Sequence, residues 1–136
     1  MERNKLVELY KKYNLEKTDV FKHQHYVIIT RQGIEKIQAQ EQIIIKFDVI
    51  KCEPNFAVVK AVAVLKHNVL TNSLNKDIQT FGSALKGATF KDGNTNSWYV
   101  MEMAEKRALS RAVLKLTGFY ELGVFGEDES EDFKKK

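Results

Sequence analysis

Ser97 to Gly118 reads SWYVMEMAEKRALSRAVLKLTG, and this stretch decides the fold. Ala104, Ala108 and Ala112 recur every four residues, so on a helix they form one row of small side chains. Such a row lets the helix axis lie close to whatever it packs on. Arg107, Arg111 and Lys115 repeat with the same spacing, Lys106 stands beside them, and that row carries only positive charge. The expectation is a helix that presses its alanines on a sheet and shows a cationic ridge along its flank, an arrangement suited to holding a polyanion. Ordinary solvation of an outer helix face produces the same pattern. Asn96 or Ser97 is placed to cap the helix and Gly118 to end it.

Upstream lie three strand candidates for that helix to cover. In Ile43 to Lys51 (IIIKFDVIK), Ile43, Ile45, Phe47 and Val49 alternate with Ile44, Lys46 and Asp48. Pro54 and Asn55 supply a turn. In Phe56 to His67, Val59, Ala61, Ala63 and Leu65 face one way, and their small size suits the alanine row. Asp77 to Leu85 (DIQTFGSAL) is the third strand, where Gly82 marks a bulge or a close approach. The loop KGATFKDGNTNS, residues 86–97, leads into the helix. Further upstream, residues 2–13 fit a short amphipathic helix, 14–22 a connection, 26–30 (YVIIT) a short strand, and 31–40 a helix with Ile34 and Ile37 facing the sheet. The predicted class is α+β: a three-stranded antiparallel sheet covered by a long C-terminal helix (a β-β-β-α core), preceded by an N-terminal helix and a short strand and helix. Phe119 to Phe125 is expected to pack back on the body.

The chain has 136 residues, enough for one domain with one core, here assigned to residues 1–126. Its 43% hydrophobic and 29% charged content excludes a disordered class. Net charge is +4, but residues 127–136 hold five acidic residues and three Lys. Without that charged tail, expected to be unfolded, 19 basic and 13 acidic residues remain, a balance of +6. A basic body with an acidic tail fits a nucleic-acid binder. Cys52 is the one cysteine, which excludes an internal disulfide framework, and a half-buried thiol is expected at its strand end. The opening MERNKLVELYKK lacks the apolar stretch of a signal peptide, and no apolar run has membrane-span length. A cytoplasmic protein is expected.

The order β-β-β-α, the Gly/Asn-rich loop and the segment Glu105-Lys106-Arg107-Ala108-Leu109 together resemble the single-strand annealing proteins of the Rad fifty-two superfamily and its phage relatives of the Sak and ERF kinds. The segment is similar to the basic K-R-A-L piece of that family's core helix. The resemblance implies backbone contacts to single-stranded DNA from Lys106 and Arg107. Where the family often has a further basic residue after the Leu, Ser110 stands here and Arg111 follows. The resemblance also implies a non-enzymatic protein of homologous recombination in a bacterial host, one that anneals complementary strands and assembles as a homo-oligomeric ring or filament. The physics agrees: annealing needs a cationic groove that leaves base edges free, not a nucleophile.

Candidate DNA contacts are therefore Lys106, Arg107, Arg111 and Lys115 on the helix, with Lys86, Lys91, Asn94 and Asn96 from the loop before it. Replacing Lys106, Arg107 and Arg111 together is expected to weaken binding without loss of the fold. Phe90, Trp98 and Tyr99 cluster near the helix start, where a hydrophobic anchor is expected over base stacking. Lys46, Lys60 and Lys66 read as a solvated sheet face. His23 and His25 lack a third ligand, so no metal is expected, and no cofactor or catalytic motif is evident. The acidic tail reads as solubilising, with two functional alternatives: occupying the cationic groove as a nucleic-acid mimic, or recruiting a protein partner. Two other functions fit the element order: a double-stranded RNA-binding type of module, whose Lys cluster would sit at a helix N-terminus, and a small ligand-binding α+β domain.

Overall fold

A computed structural model describes residues 2–23, 26–65, 76–87, 93–95 and 98–127. The chain is α+β, with elements α1 (Glu2–Lys12), β1 (Val20–His23), β2 (Tyr26–Ile29), α2 (Arg31–Glu41), β3 (Ile44–Glu53), β4 (Phe56–Leu65), β5 (Lys76–Leu85), α3 (Val100–Thr117) and β6 (Val124–Gly126). Strands β3, β4 and β5 form an antiparallel sheet in that order, and α3 crosses it over β4 and β5.

The expected fit between helix and sheet is present. Ala104, Ala108 and Ala112 are fully buried, as are Ala57, Ala61, Ala63 and Ala84 on the facing strands. The approach is closest at Gly82, where an added Cβ would stand 2.1 Å from the Ala104 carbonyl oxygen and 2.5 Å from the Ala108 nitrogen. Gly82 therefore marks a close approach, and β5 pairs with β4 without a register shift. Thr80 Oγ1 donates to the Ala108 carbonyl at 2.7 Å, which fixes the helix along the strand. The one shift in the sheet lies in β3 between Val49 and Lys51. It moves Lys51 and Glu53 to the open face already held by Lys46 and Asp48.

A second sheet has the order β1-β2-β6, with β1 and β2 antiparallel and β6 parallel to β2. Sequence reading places residues 14–22 in a connection, but Val20–His23 form β1. Four residues are too few to show alternation, and the strand exists because it pairs with β2. The expected return of Phe119 to Phe125 takes the form of β6, with Val124 and Phe119 in the same core as Ile29, Ile34, Ile37 and Leu114. Gly126 meets α3 at Ser110, where a Cβ would come within 2.7 Å of the Ser110 Cβ. Tyr10 and Tyr13, at the end of α1 and just beyond it, pack on Phe119. Gly118, left-handed at φ 89°, ends α3 as expected. The residue before its first turn is Tyr99, which makes no side-chain cap; Asn96 and Ser97, expected to cap the helix, lie outside the described residues. Of the expected acidic tail only Glu127 is described, and its Oε1 accepts the Arg31 N–H at 3.0 Å, at the N-terminus of α2.

The turn before β1 is clamped to α2 through Asp19. This residue is fully buried, and its Oδ2 accepts the Lys36 ammonium at 2.6 Å and the Glu16 N–H at 2.9 Å. Burial pushes the Asp19 carboxyl up, but the Glu16 N–H and the Lys36 charge outweigh it, and its pKa lies below the ordinary value.

Two outcomes are expected. Gly82→Ala should destabilise the fold by about 1–3 kcal/mol or more, because the new methyl meets backbone rather than a side chain that could turn away; a urea midpoint equal to that of the wild type would contradict the helix–strand approach. A lowered Asp19 pKa contributes stability that is present above the unfolded carboxyl pKa of about 3.9 and is lost as pH falls through the folded value. Asp19→Asn should therefore lower the urea midpoint at pH 7 and flatten its decline below about pH 4.

Candidate nucleic-acid interface

The outer edge of β5 gathers much of the chemistry singled out in the sequence. An edge strand leaves backbone groups unpaired, and these invite a foreign strand unless something covers them. Here side chains do so. Arg111 donates to the Phe81 carbonyl at 2.8 Å, and Arg107 donates to the Ser83 carbonyl at 2.8 Å and to the Asn94 carbonyl at 3.0 Å. The Asn94 side chain gives its Nδ2–H to Ser83 O at 3.2 Å and accepts the Leu85 N–H at 2.7 Å. The Asn94 backbone N–H closes the strand end on Leu85 O at 2.9 Å. Phe81, Ser83 and Leu85 alternate along β5, so their backbone groups point to one side, away from β4.

Arg107 departs most from expectation. It is 2% exposed and among the largest buried side chains. It is no part of a solvated ridge. Helix α3 lies so close to β5 that a side chain at position 107 must run over the strand edge, and there its planar fork bridges two carbonyls. A buried cation is costly without such acceptors. Its charge still adds to the local potential, but a direct phosphate contact is not its role in this geometry. Arg111, one turn on, is half-buried and reaches the rim of the same edge.

Lys86 follows β5, and its ammonium stands 4.2 Å from the centroid of the Trp98 ring, a cation–π contact worth about 0.5–1 kcal/mol at an exposed site. Lys106 is half-buried, and Lys115 is exposed with its ammonium 5.1 Å from the Tyr120 centroid. Successive helix residues diverge by about 100°, so Lys106 does not share the direction of Arg107. The structure thus brings Lys86, Asn94, Arg107 and Arg111 to one strand edge; Lys115 continues the row one turn beyond Arg111, beside Tyr120, and Lys106 lies on another part of the helix surface. Lys91, Asn96 and Phe90 lie outside the described residues.

The aromatic expectation is also corrected. Trp98 is 68% exposed and Tyr99 70% exposed, so neither is the hydrophobic anchor of the helix start; Val100 takes that place and is buried. Phe81, 50% exposed on the open sheet face, was not singled out in the sequence; its alternation with the buried Thr80 and Gly82 was the available signal. Cys52 is exposed rather than half-buried: it faces the side of the sheet that α3 covers, but α3 is seated over β4 and β5 rather than over β3. Lys60 pairs with Asp48 at 3.7 Å across the open face, in keeping with a solvated sheet surface. His25 lies outside the described residues, and among those described no three His, Cys, Asp or Glu side chains are grouped to hold a metal. No described helix is long and apolar enough to cross a membrane.

Comparison with protein-family models, with curated proteins and with solved structures finds no match for this chain.

Arg107 also alters the expected outcome of the triple substitution, which should not be neutral for the fold. Arg107→Ala empties a buried site and leaves the Ser83 and Asn94 carbonyls without its donors, a loss of about 3 kcal/mol. Arg107→Lys should recover only part of this, since one ammonium does not reproduce the fork. Urea unfolding of both variants checks it; an Arg107→Ala protein as stable as the wild type would contradict the structural role.

Proposed function

We propose that the protein binds single-stranded DNA and anneals complementary strands in homologous recombination, without catalysis, as a homo-oligomer in the cytoplasm of a bacterial host. The observation that carries this reading is the gathering of Lys86, Arg107 and Arg111 on the outer edge of β5, where a long helix flanks the strand. From Phe81 to Lys86 this edge runs about 17 Å at the rise of an extended strand. Cations spaced along such a length suit a flexible phosphate chain, which follows a linear track without needing the width of a duplex groove. The body charge of +6 for residues 1–126 acts in the same direction at longer range. Annealing then asks that the backbone be held and the base edges left open.

The geometry divides the work among the cations. Arg107 supplies charge and fixes the edge. Arg111 and Lys86 reach the surface along the β5 edge, Lys106 lies on the outer flank of the same helix, α3, and these three serve as phosphate contacts. The double-stranded RNA alternative draws less support, since the gathered basic groups lie along a strand edge and mid-helix rather than at a helix N-terminus.

Filter binding on single-stranded DNA, duplex DNA and duplex RNA at two salt concentrations tests the proposal. Preference for the single strand is expected, with a slope of log K against log salt near −2 for three contacts at about −0.7 each. Lys86→Gln and Lys106→Gln should each reduce the slope by about 0.7 and keep the fold, Lys86→Gln at a cost in stability of about 0.5–1 kcal/mol from the lost cation–π contact with Trp98. Preference for duplex RNA would favour the alternative, and absence of binding at low salt would refute a nucleic-acid role. Sedimentation should show a mass well above that of one chain.

A further inference from the structure

We infer that Trp98, with Lys86 on one face of its ring, is a stacking platform for the bases of a single strand. This inference rests on the single-stranded DNA reading and adds to it a contact with bases rather than phosphates. Tryptophan is the largest side chain and gains greatly from burial, yet Trp98 and its neighbour Tyr99 both lie at the surface beside a helix start that already has a buried anchor, Val100. The Lys86 ammonium, 4.2 Å from the ring centroid, holds one face of the indole and sets the ring's position. With 68% of the residue exposed, the ring remains open to a flat apolar partner. Every base offers a π-face, so such a platform takes bases without regard to sequence, as an annealing protein requires.

The position strengthens the case. Lys86 directly follows Leu85, whose backbone groups are held by Asn94, and Arg107 ties Asn94 to Ser83. The platform therefore stands at one end of the cationic edge, beside backbone anchored by the side chains of Asn94 and Arg107. A strand whose phosphates follow Arg111 and Lys86 brings a base within reach of the indole. Lys86 then serves twice, as a phosphate contact and as the prop of the ring.

Trp98 is the one tryptophan of the chain, so its emission reports directly on the site. The protein is titrated with a short oligo-dT strand and with the same strand built from abasic sugar–phosphate units, following both tryptophan emission and strand anisotropy. Oligo-dT should quench the emission and bind more tightly than the abasic strand by about fivefold or more. Trp98→Ala should remove that difference, bind both strands equally and keep the salt slope of the wild type. Trp98→Phe should restore most of the preference for oligo-dT. Equal binding of the two strands by the wild type, or binding of oligo-dT without quenching, overturns the platform and leaves the phosphate-binding reading standing. Binding of neither strand overturns both.

Discussion

The close seating of one helix on one strand governs the rest of the molecule. At Gly82 the α3 backbone comes so near β5 that even a methyl group does not fit between them. This distance is possible because both surfaces are lined with the smallest side chains, and it explains why Ala104, Ala108 and Ala112 leave no exposed surface. It also fixes where the larger side chains of α3 go. Those beside the alanine row cannot lie flat between helix and sheet. They pass over the outer edge of β5, where unpaired carbonyls await donors. Arg107 and Arg111 become edge covers as a consequence of helix proximity.

That role changes the meaning of the basic helix. A guanidinium bound to a backbone carbonyl is held in place, and its charge remains part of the surface field. The cationic edge is thus ordered by the protein's own backbone carbonyls. The same arginines block β5 from accepting a foreign strand, whereas β3 at the other edge has exposed side chains from Val49 to Cys52 and no described strand partner. The two edges of the sheet are unlike in chemistry, which gives the molecule a direction: charge and aromatic surface on one side, an open strand on the other.

The smaller sheet supports the larger one indirectly. Strand β6 joins β2 in parallel, and Gly126 touches α3 at Ser110, so the end of the described chain closes over the same helix that covers the main sheet. Tyr13 extends this core to α1, donating its hydroxyl to Glu41 at 2.5 Å; burial and that bond both raise its pKa above the ordinary tyrosine value. Residues distant in sequence therefore depend on α3 remaining in place.

Local patterning determined the three long strands, their facing sets and the helix with its alanine row, because alternation and four-residue spacing are properties of the chain itself. It also marked Gly82 and Gly118 and singled out Lys86, Asn94, Arg107 and Arg111. Periodicity alone did not reveal β1 and β6, whose three or four residues are strands only by virtue of their partners. Nor did it divide the cations: Lys106 and Arg107 are adjacent in sequence and alike in charge, yet one lies at the helix surface and the other is buried on two carbonyls. Trp98, an anchor by residue type, lies at the surface, and Val100 is the buried residue at the helix start. Sequence carries the period of each element, but the distance between elements decides which side chains reach water, and that distance is set only when helix and sheet meet.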